Sequence, residues 1–357
     1  MSIGGRPNVL ALTLAFFLIG QPDSLLAKAE VIASTENWAG GMVSVPDYEW
    51  IGQTGLIYYR KEDEDTYSVM EYDTRARKSK LLPALTRTYN KDGSGVGDLD
   101  RSPDGKLFLS GRYGGTPVFY LTDINGREHG SWPIREMNPN HHDTTGRTEA
   151  VWTPDSKAII DATVSHWEQG FEVHARQRSV SKPSDENVLP LARFPVSSQW
   201  NYPQAIGPGM RAMLVYIKNL GMWKGDMKLP ESAVVLAWLA WYPRVWAQYD
   251  VAFPGKSRVH DWQFSPDGDQ ILWETCSLSG DSSEWPVGSD GRVLGERFIG
   301  LWISRWDGRN MRLLGRLPLT DGDEGMDMQR FGWIRFVPGA RSVSFVFDHR
   351  LYVLDLP

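Results

Sequence analysis

The chain has 357 residues, 38 Lys and Arg against 44 Asp and Glu, a net charge of −6 and a single cysteine. Cys276 on its own excludes an internal disulfide and a cysteine-built zinc site. The acidic balance argues against nucleic acid as a partner.

The first 29 residues have the pattern of a secretory leader. Arg6 supplies a basic start, Val9–Gly20 an apolar stretch too short to span a bilayer, and Ala27-Lys28-Ala29 a small-x-small cleavage pattern. The expectation is a signal peptide over 1–29 and one domain over 30–357. That protein would be periplasmic or secreted, with no membrane span after leader removal. A disulfide-free exported chain suits a bacterial envelope.

From there the chain repeats. Ser-Pro-Asp-Gly stands at Ser102–Gly105 and Ser265–Gly268, with degenerate copies at Thr153-Pro154-Asp155-Ser156, Gly207-Pro208-Gly209 and Val337-Pro338-Gly339. A weaker match, Gly52-Gln53-Thr54-Gly55, comes first. A short alternating run precedes each copy, such as Asp261–Phe264 or Glu149–Trp152, and another strand-like run follows it, such as Gln270–Trp273 or Ala158–Ala162. Two strands joined by a tight turn follow, because Pro presets φ, Asp bonds its own backbone and Gly takes a positive φ. A third run, such as Val118–Asp123 or Gly300–Ser304, and a weaker fourth complete each unit. Four strands in ~40–55 residues, repeated six times, is the pattern of a β-propeller. The expected fold is all-β: a six-bladed propeller of four-stranded antiparallel blades at about 45–90, 97–140, 147–195, 201–255, 259–318 and 330–357. The last unit ends after its third strand, so Glu30–Ser34 is expected to supply the fourth and close the ring from both chain ends.

The repeat resembles that of the TolB-type family of bacterial six-bladed propellers, a WD-like repeat family, over roughly residues 45–357. Two turns match letter for letter and the rest are degenerate. The resemblance implies a periplasmic interaction module whose channel mouth accepts peptide segments. TolB itself carries an additional N-terminal α/β domain, whereas only about 20 residues, Glu30–Glu49, precede the first unit here, which argues against a direct Tol-system role. The repeat also resembles propellers of prolyl-oligopeptidase-like and oligogalacturonate-lyase-like enzymes. No Gly-x-Ser-x-Gly elbow, His-Glu-x-x-His or phosphate loop is present.

Counting four residues back from each turn gives a column with Asp98, Glu149 and Asp261 in units two, three and five, and Tyr48, Pro203 and Trp333 in the others. Three carboxylates converging on one channel mouth would attract a cation or a basic ligand group. His141, His142, His166 and His260 fall on connections to the same face and are the candidate metal ligands, for Mn, Zn or Ca. His349 falls there too. Arg112 could meet a ligand carboxylate, and Trp167 and Trp223 could stack on a ligand. The strand tryptophans Trp152, Trp262 and Trp333 are expected to pack between blades. Two functions follow. The first is an exported, non-catalytic module binding another envelope or extracellular protein or peptide at the channel mouth. The alternative, which the oligogalacturonate-lyase resemblance implies, is a metal-dependent carbohydrate-active enzyme using the His-rich site.

Overall fold

The computed structural model describes residues 24–39, 48–63, 66–90, 99–112, 118–134, 147–167, 170–189, 192–195, 200–208, 212–217, 232–238, 246–253, 257–278, 297–319 and 331–357. A short helix, Leu25–Lys28, leads into strand β1 (Glu30–Ser34). Each repeat unit then folds into an antiparallel sheet whose strands follow chain order. The first sheet is β2 (Tyr48–Trp50), β3 (Gly55–Lys61), β4 (Tyr67–Asp73) and β5 (Lys78–Leu81). The second is β6 (Leu99–Arg101), β7 (Leu107–Arg112), β8 (Val118–Asp123) and β9 (Glu128–Pro133). The third is β10 (Arg147–Trp152), β11 (Ala158–Trp167), β12 (Gly170–Ser179) and β13 (Lys182–Val188), and β14 (Ala192–Pro195) also pairs with β12. The fourth is β15 (Trp200–Ile206), β16 (Ala212–Ile217), β17 (Ser232–Trp238) and β18 (Trp246–Ala252). The fifth is β19 (Ser257–Phe264), β20 (Gln270–Leu278), β21 (Arg297–Arg305) and β22 (Arg312–Leu319). The last is β23 (Phe331–Phe336), β24 (Ser342–Phe347) and β25 (Arg350–Asp355), completed by β1 on β25.

The architecture is an all-β propeller of four-stranded antiparallel blades. The expectation of uniform blades is corrected: five sheets have four strands, and the third has five because β14 adds to it. β12 is ten residues long, so it has room for β13 at one end and β14 at the other. The pairing of Glu30–Ser34 with the final strand is present, Glu30 opposite Val353 and Ser34 opposite Arg350. A helix, Pro83–Asn90, follows β5 where the sequence reading has none. Leu85 explains it, being fully buried against Phe108 of the next sheet.

The motif residues account for the turns. Ser102 Oγ accepts from the N–H groups of Lys106 and Leu107 and donates to Asp104, while Gly105 takes φ 77°. Thr153 and Asp155 repeat the arrangement in the third sheet, where Ser156 takes φ 59° without being glycine.

Apolar clusters fill the spaces between sheets. Tyr48, Trp50 and Leu56 of the first sheet meet Val337, Val346 and Leu351 of the sixth. Trp132 of the second meets Trp152 and Ile159 of the third, and Val251 and Phe253 of the fourth meet Trp273 of the fifth. Burying one such side chain contributes about 1.5–3 kcal/mol, so these junctions dominate the fold's stability. Tryptophan N–H groups stitch them. Trp50 donates to Ser344 (2.8 Å), Trp333 to the Tyr48 carbonyl (3.0 Å) and Trp152 to the Asp100 carbonyl (3.3 Å). For Trp152 and Trp333 the expected packing role is what the structure shows.

Candidate functional site

The first strands of neighbouring sheets approach one another, β2 with β6 and β19 with β23, so they line the axis. One end of that axis carries the Ser-Pro-Asp-Gly turns. The other is the mouth expected to hold the ligand.

Of the residues expected at the mouth, Glu149 pairs with Ala162 on β10–β11 and Asp261 pairs with Glu274 on β19–β20. Asp261 is half-buried, and its Oδ1 accepts from the N–H of Trp262 at 2.8 Å. A β-bulge between Val259 and Asp261 makes His260 the additional residue of β19. Asp98, His141, His142 and Trp223 lie outside the described residues, as do the side chains of Glu149, Arg112, His166, Trp167 and His260. Arg112 ends β7, two residues past Ser110, the partner of Leu99. His166 and Trp167 are placed differently from expectation. Both belong to β11, opposite Phe171 and Gly170, rather than to a connection. His166 stands four residues beyond the partner of Glu149, about 13 Å along the strand at 3.3 Å per residue, so the two occupy different levels of the channel. His349 is exposed in a tight turn at φ 59°, next to Asp348 at φ 47°. Among the described residues no group of three or more His, Cys, Asp and Glu could hold a metal ion.

The column itself needs one correction. In sheets two, three, five and six the N–H of the turn's first residue bonds the carbonyl five residues on, Ser102 to Leu107 and Ser265 to Gln270 among them. In the first sheet Ile51 bonds Gly55, four residues on. That turn is one residue shorter and starts at Ile51, so the residue four places before it is Asp47, outside the described set. Tyr48 sits one step further along and faces inward. It is buried, bonded to Ser344 (2.8 Å) and the Trp333 carbonyl (2.9 Å), and burial holds its phenol protonated well above the ordinary range. Trp333, also in the column, lies in a bulge at φ 54°.

The turn end of the axis holds an arrangement the sequence reading missed. Glu49, Arg101, Gln263 and Arg335, from sheets one, two, five and six, line a cavity of about 50 Å³. Arg335 Nε lies 3.3 Å from Glu49 Oε2, Arg101 donates to the Trp50 carbonyl, and Gln263 accepts from the N–H of Phe336 at 3.2 Å. Among the described residues, Arg101 Nε is buried and has no hydrogen-bond partner. Adjoining the cavity is a groove of about 440 Å³ formed by Pro103, Pro154, Pro266, Pro338 and Phe336, with Arg312 and Arg341 along it. The available signal was that charged residues fall one and two places before the turn, on strands whose inward positions are otherwise apolar. A third, larger cleft of about 670 Å³ lies between sheets two and three, lined by Lys106 and Lys157 with His129, the latter 3.4 Å from Asp123.

Burial pushes the Glu49 carboxyl up, and Arg335 and Arg101 oppose it. A carboxyl raised in the folded state binds more protons there than in the unfolded chain, so its stabilising contribution is present below its ordinary range and is lost as pH rises. Urea titrations at pH 4 and pH 7 should therefore show a smaller loss of stability with rising pH in Glu49→Gln than in the parent. An unchanged difference would mean that Glu49 is not coupled to folding.

No protein-family model matches the chain, and no curated protein matches it. Solved structures do resemble it. TolB from Acinetobacter baumannii is 12% identical with a TM-score of 0.39, over 84% of this chain and 63% of that one. Kuenenia stuttgartiensis hydrazine synthase is 14% identical with a TM-score of 0.46, over 89% and 78%. The Myceliophteria thermophila Cps50 (Swd1) β-propeller domain is 11% identical with a TM-score of 0.40, over 92% and 100%. The chain thus spans less than two thirds of the TolB chain. The propeller architecture rests on the strand pairing above, not on these likenesses.

Proposed function

We propose that this protein is an exported, non-catalytic interaction module: a six-bladed ring that binds a protein or peptide at its channel mouth. One observation carries the reading. Glu149 and Asp261 stand at the same count before their turns, on axis-lining strands of two sheets, with Asp98 at that count in a third. Carboxylates repeated around an axis favour a cationic group, such as a lysine, an arginine or a chain's amino terminus. Arg6 and the Val9–Gly20 stretch support export to the periplasm or medium. Among the described residues no helix is long and apolar enough to cross a membrane.

The test titrates a lysine-rich peptide and a glutamate-rich peptide of equal length against the parent, Asp261→Asn and Glu149→Gln. The basic peptide should bind the parent and lose about tenfold in affinity in each variant, or 1.4 kcal/mol. Equal binding of both peptides, or no effect of either substitution, would sink the reading. Elemental analysis of the same protein separates it from the enzyme alternative: stoichiometric Mn, Zn or Ca that disappears in Asp261→Asn would favour the metal-dependent site.

A further inference from the structure

Ser24–Ala29 is built into the junction between the fifth and sixth sheets. Leu25 is completely buried, in the cluster that joins Leu314 and Leu317 of β22 to Phe331, Phe345 and Leu354 of the last sheet. Leu26 and Ala29 pack against the same cluster. Ser24 forms a parallel bridge with Arg316, and the Lys28 ammonium donates to the Leu314 carbonyl at 3.2 Å. β22 is the outermost strand of its sheet, and this segment covers part of its free edge.

Gly315 is matched to the segment. Its backbone is not in the left-handed region, so conformation does not call for glycine. Space does: a Cβ there would lie 2.8 Å from Leu25 Cα and 2.9 Å from Leu25 Cδ1. Real Cβ atoms do not come that close, so the strand has room for Leu25 only because position 315 has no side chain.

We propose that Ser24–Ala29 is a strap of the mature fold, and that proteolytic removal of a leader cuts before Ser24 rather than after Ala29. The position of the cut rests on the export reading; the role of the strap does not. A cut after Ala29 would take away a wholly buried leucine, leave a hole against Leu314 and Phe331, and bare the edge of β22. Such a loss matches a large-to-small core substitution, whose cost grows with the cavity left behind.

Two measurements on the full-length chain test this. The first is the intact mass and N-terminal sequence of the protein recovered from the envelope or medium of an expressing bacterium. Its first residue should be Ser24 or one upstream. The second is thermal unfolding of Leu25→Asp and the milder Leu25→Ala, with Gly315→Ala beside them. Each should lower Tm, Leu25→Asp by on the order of 5 °C or more. A mature chain beginning at Glu30, or Leu25 variants that melt like the parent, would overturn the proposal. A chain found uncleaved in the cytoplasm with a lowered Leu25→Asp melting point would sink the export reading and leave the strap standing.

Discussion

Arg178→Ala should cost about 3–5 kcal/mol of stability at neutral pH, one of the two largest single-residue effects expected in this protein. Arg178 and Asp161 are both about 4% exposed and lie 3.2 Å apart within the third sheet. Arg178 also donates to Glu186 at 2.7 Å and to the Pro183 carbonyl at 3.3 Å. Its guanidinium covers the ring of Trp132 in the second sheet, 5.4 Å from the centroid. It therefore ties three strands of one sheet to its neighbour. Alanine removes these contacts together and leaves the buried Asp161 without its hydrogen-bonded ion-pair partner, with Arg176 as its remaining nearby cation. Burial already pushes the Asp161 carboxyl up, against the pull of Arg178 and Arg176. Without Arg178 it rises further, so the folded state holds a proton that the unfolded chain releases, and stability falls as pH rises. Urea unfolding should show the Arg178→Ala deficit larger at pH 7 than at pH 4. A deficit below 1 kcal/mol, or one that does not change with pH, would show that the network is solvated and weak.

The second large effect concerns the ring closure. Ala33→Asp should destabilise by about 4 kcal/mol or more, the range reached when an unpaired charge is forced into a core. Ala33 is 6% exposed, pairs with Leu351, and packs in the cluster that holds Tyr48, Trp50 and Val346. The phenol of Tyr72 donates to the carbonyl of its neighbour Ile32 at 3.1 Å, so β1 is held by the first sheet as well as by the last. A carboxylate at position 33 has no cation within that cluster. Loss of β1 would free the edge of β25, and a free edge pairs with other chains. The variant should therefore show both a lower urea midpoint and concentration-dependent association in sedimentation. Glu30→Lys, on an exposed position of the same strand, should stay within about 0.5 kcal/mol of the parent. Equal behaviour of the two variants would mean that the closure carries little of the stability.

The propeller could be read from the chain because its code is local. A Ser, Pro, Asp and Gly in sequence satisfy one another's backbone groups, and the turn forms much the same way wherever the copy falls. Short apolar runs on each side then set the strands, as at Gln270–Trp273 and Ala158–Ala162, which are buried almost throughout. Even the missing last strand was legible, since a sheet left one strand short has an edge to cover and Glu30–Ser34 alternates suitably. The limits of this reading appear where a register shifts by one residue. The short turn at Ile51 moved Tyr48 out of the acidic column and into the core, and only the hydrogen bond to Gly55 reveals it. His166 and Trp167 looked like connection residues because nothing local marks how far β11 continues.

The sequence by itself thus determined the repeat and the strand order within each unit, both of which follow from contacts among near neighbours in the chain. Only the tertiary structure decided which residues meet across sheets. Arg335 reaches Glu49, Arg178 covers Trp132, and Leu25 lies over Gly315, pairs separated by dozens to hundreds of positions. No spacing rule encodes such pairs, because they arise from the packing of one sheet against the next, which the local turn and strand pattern does not specify.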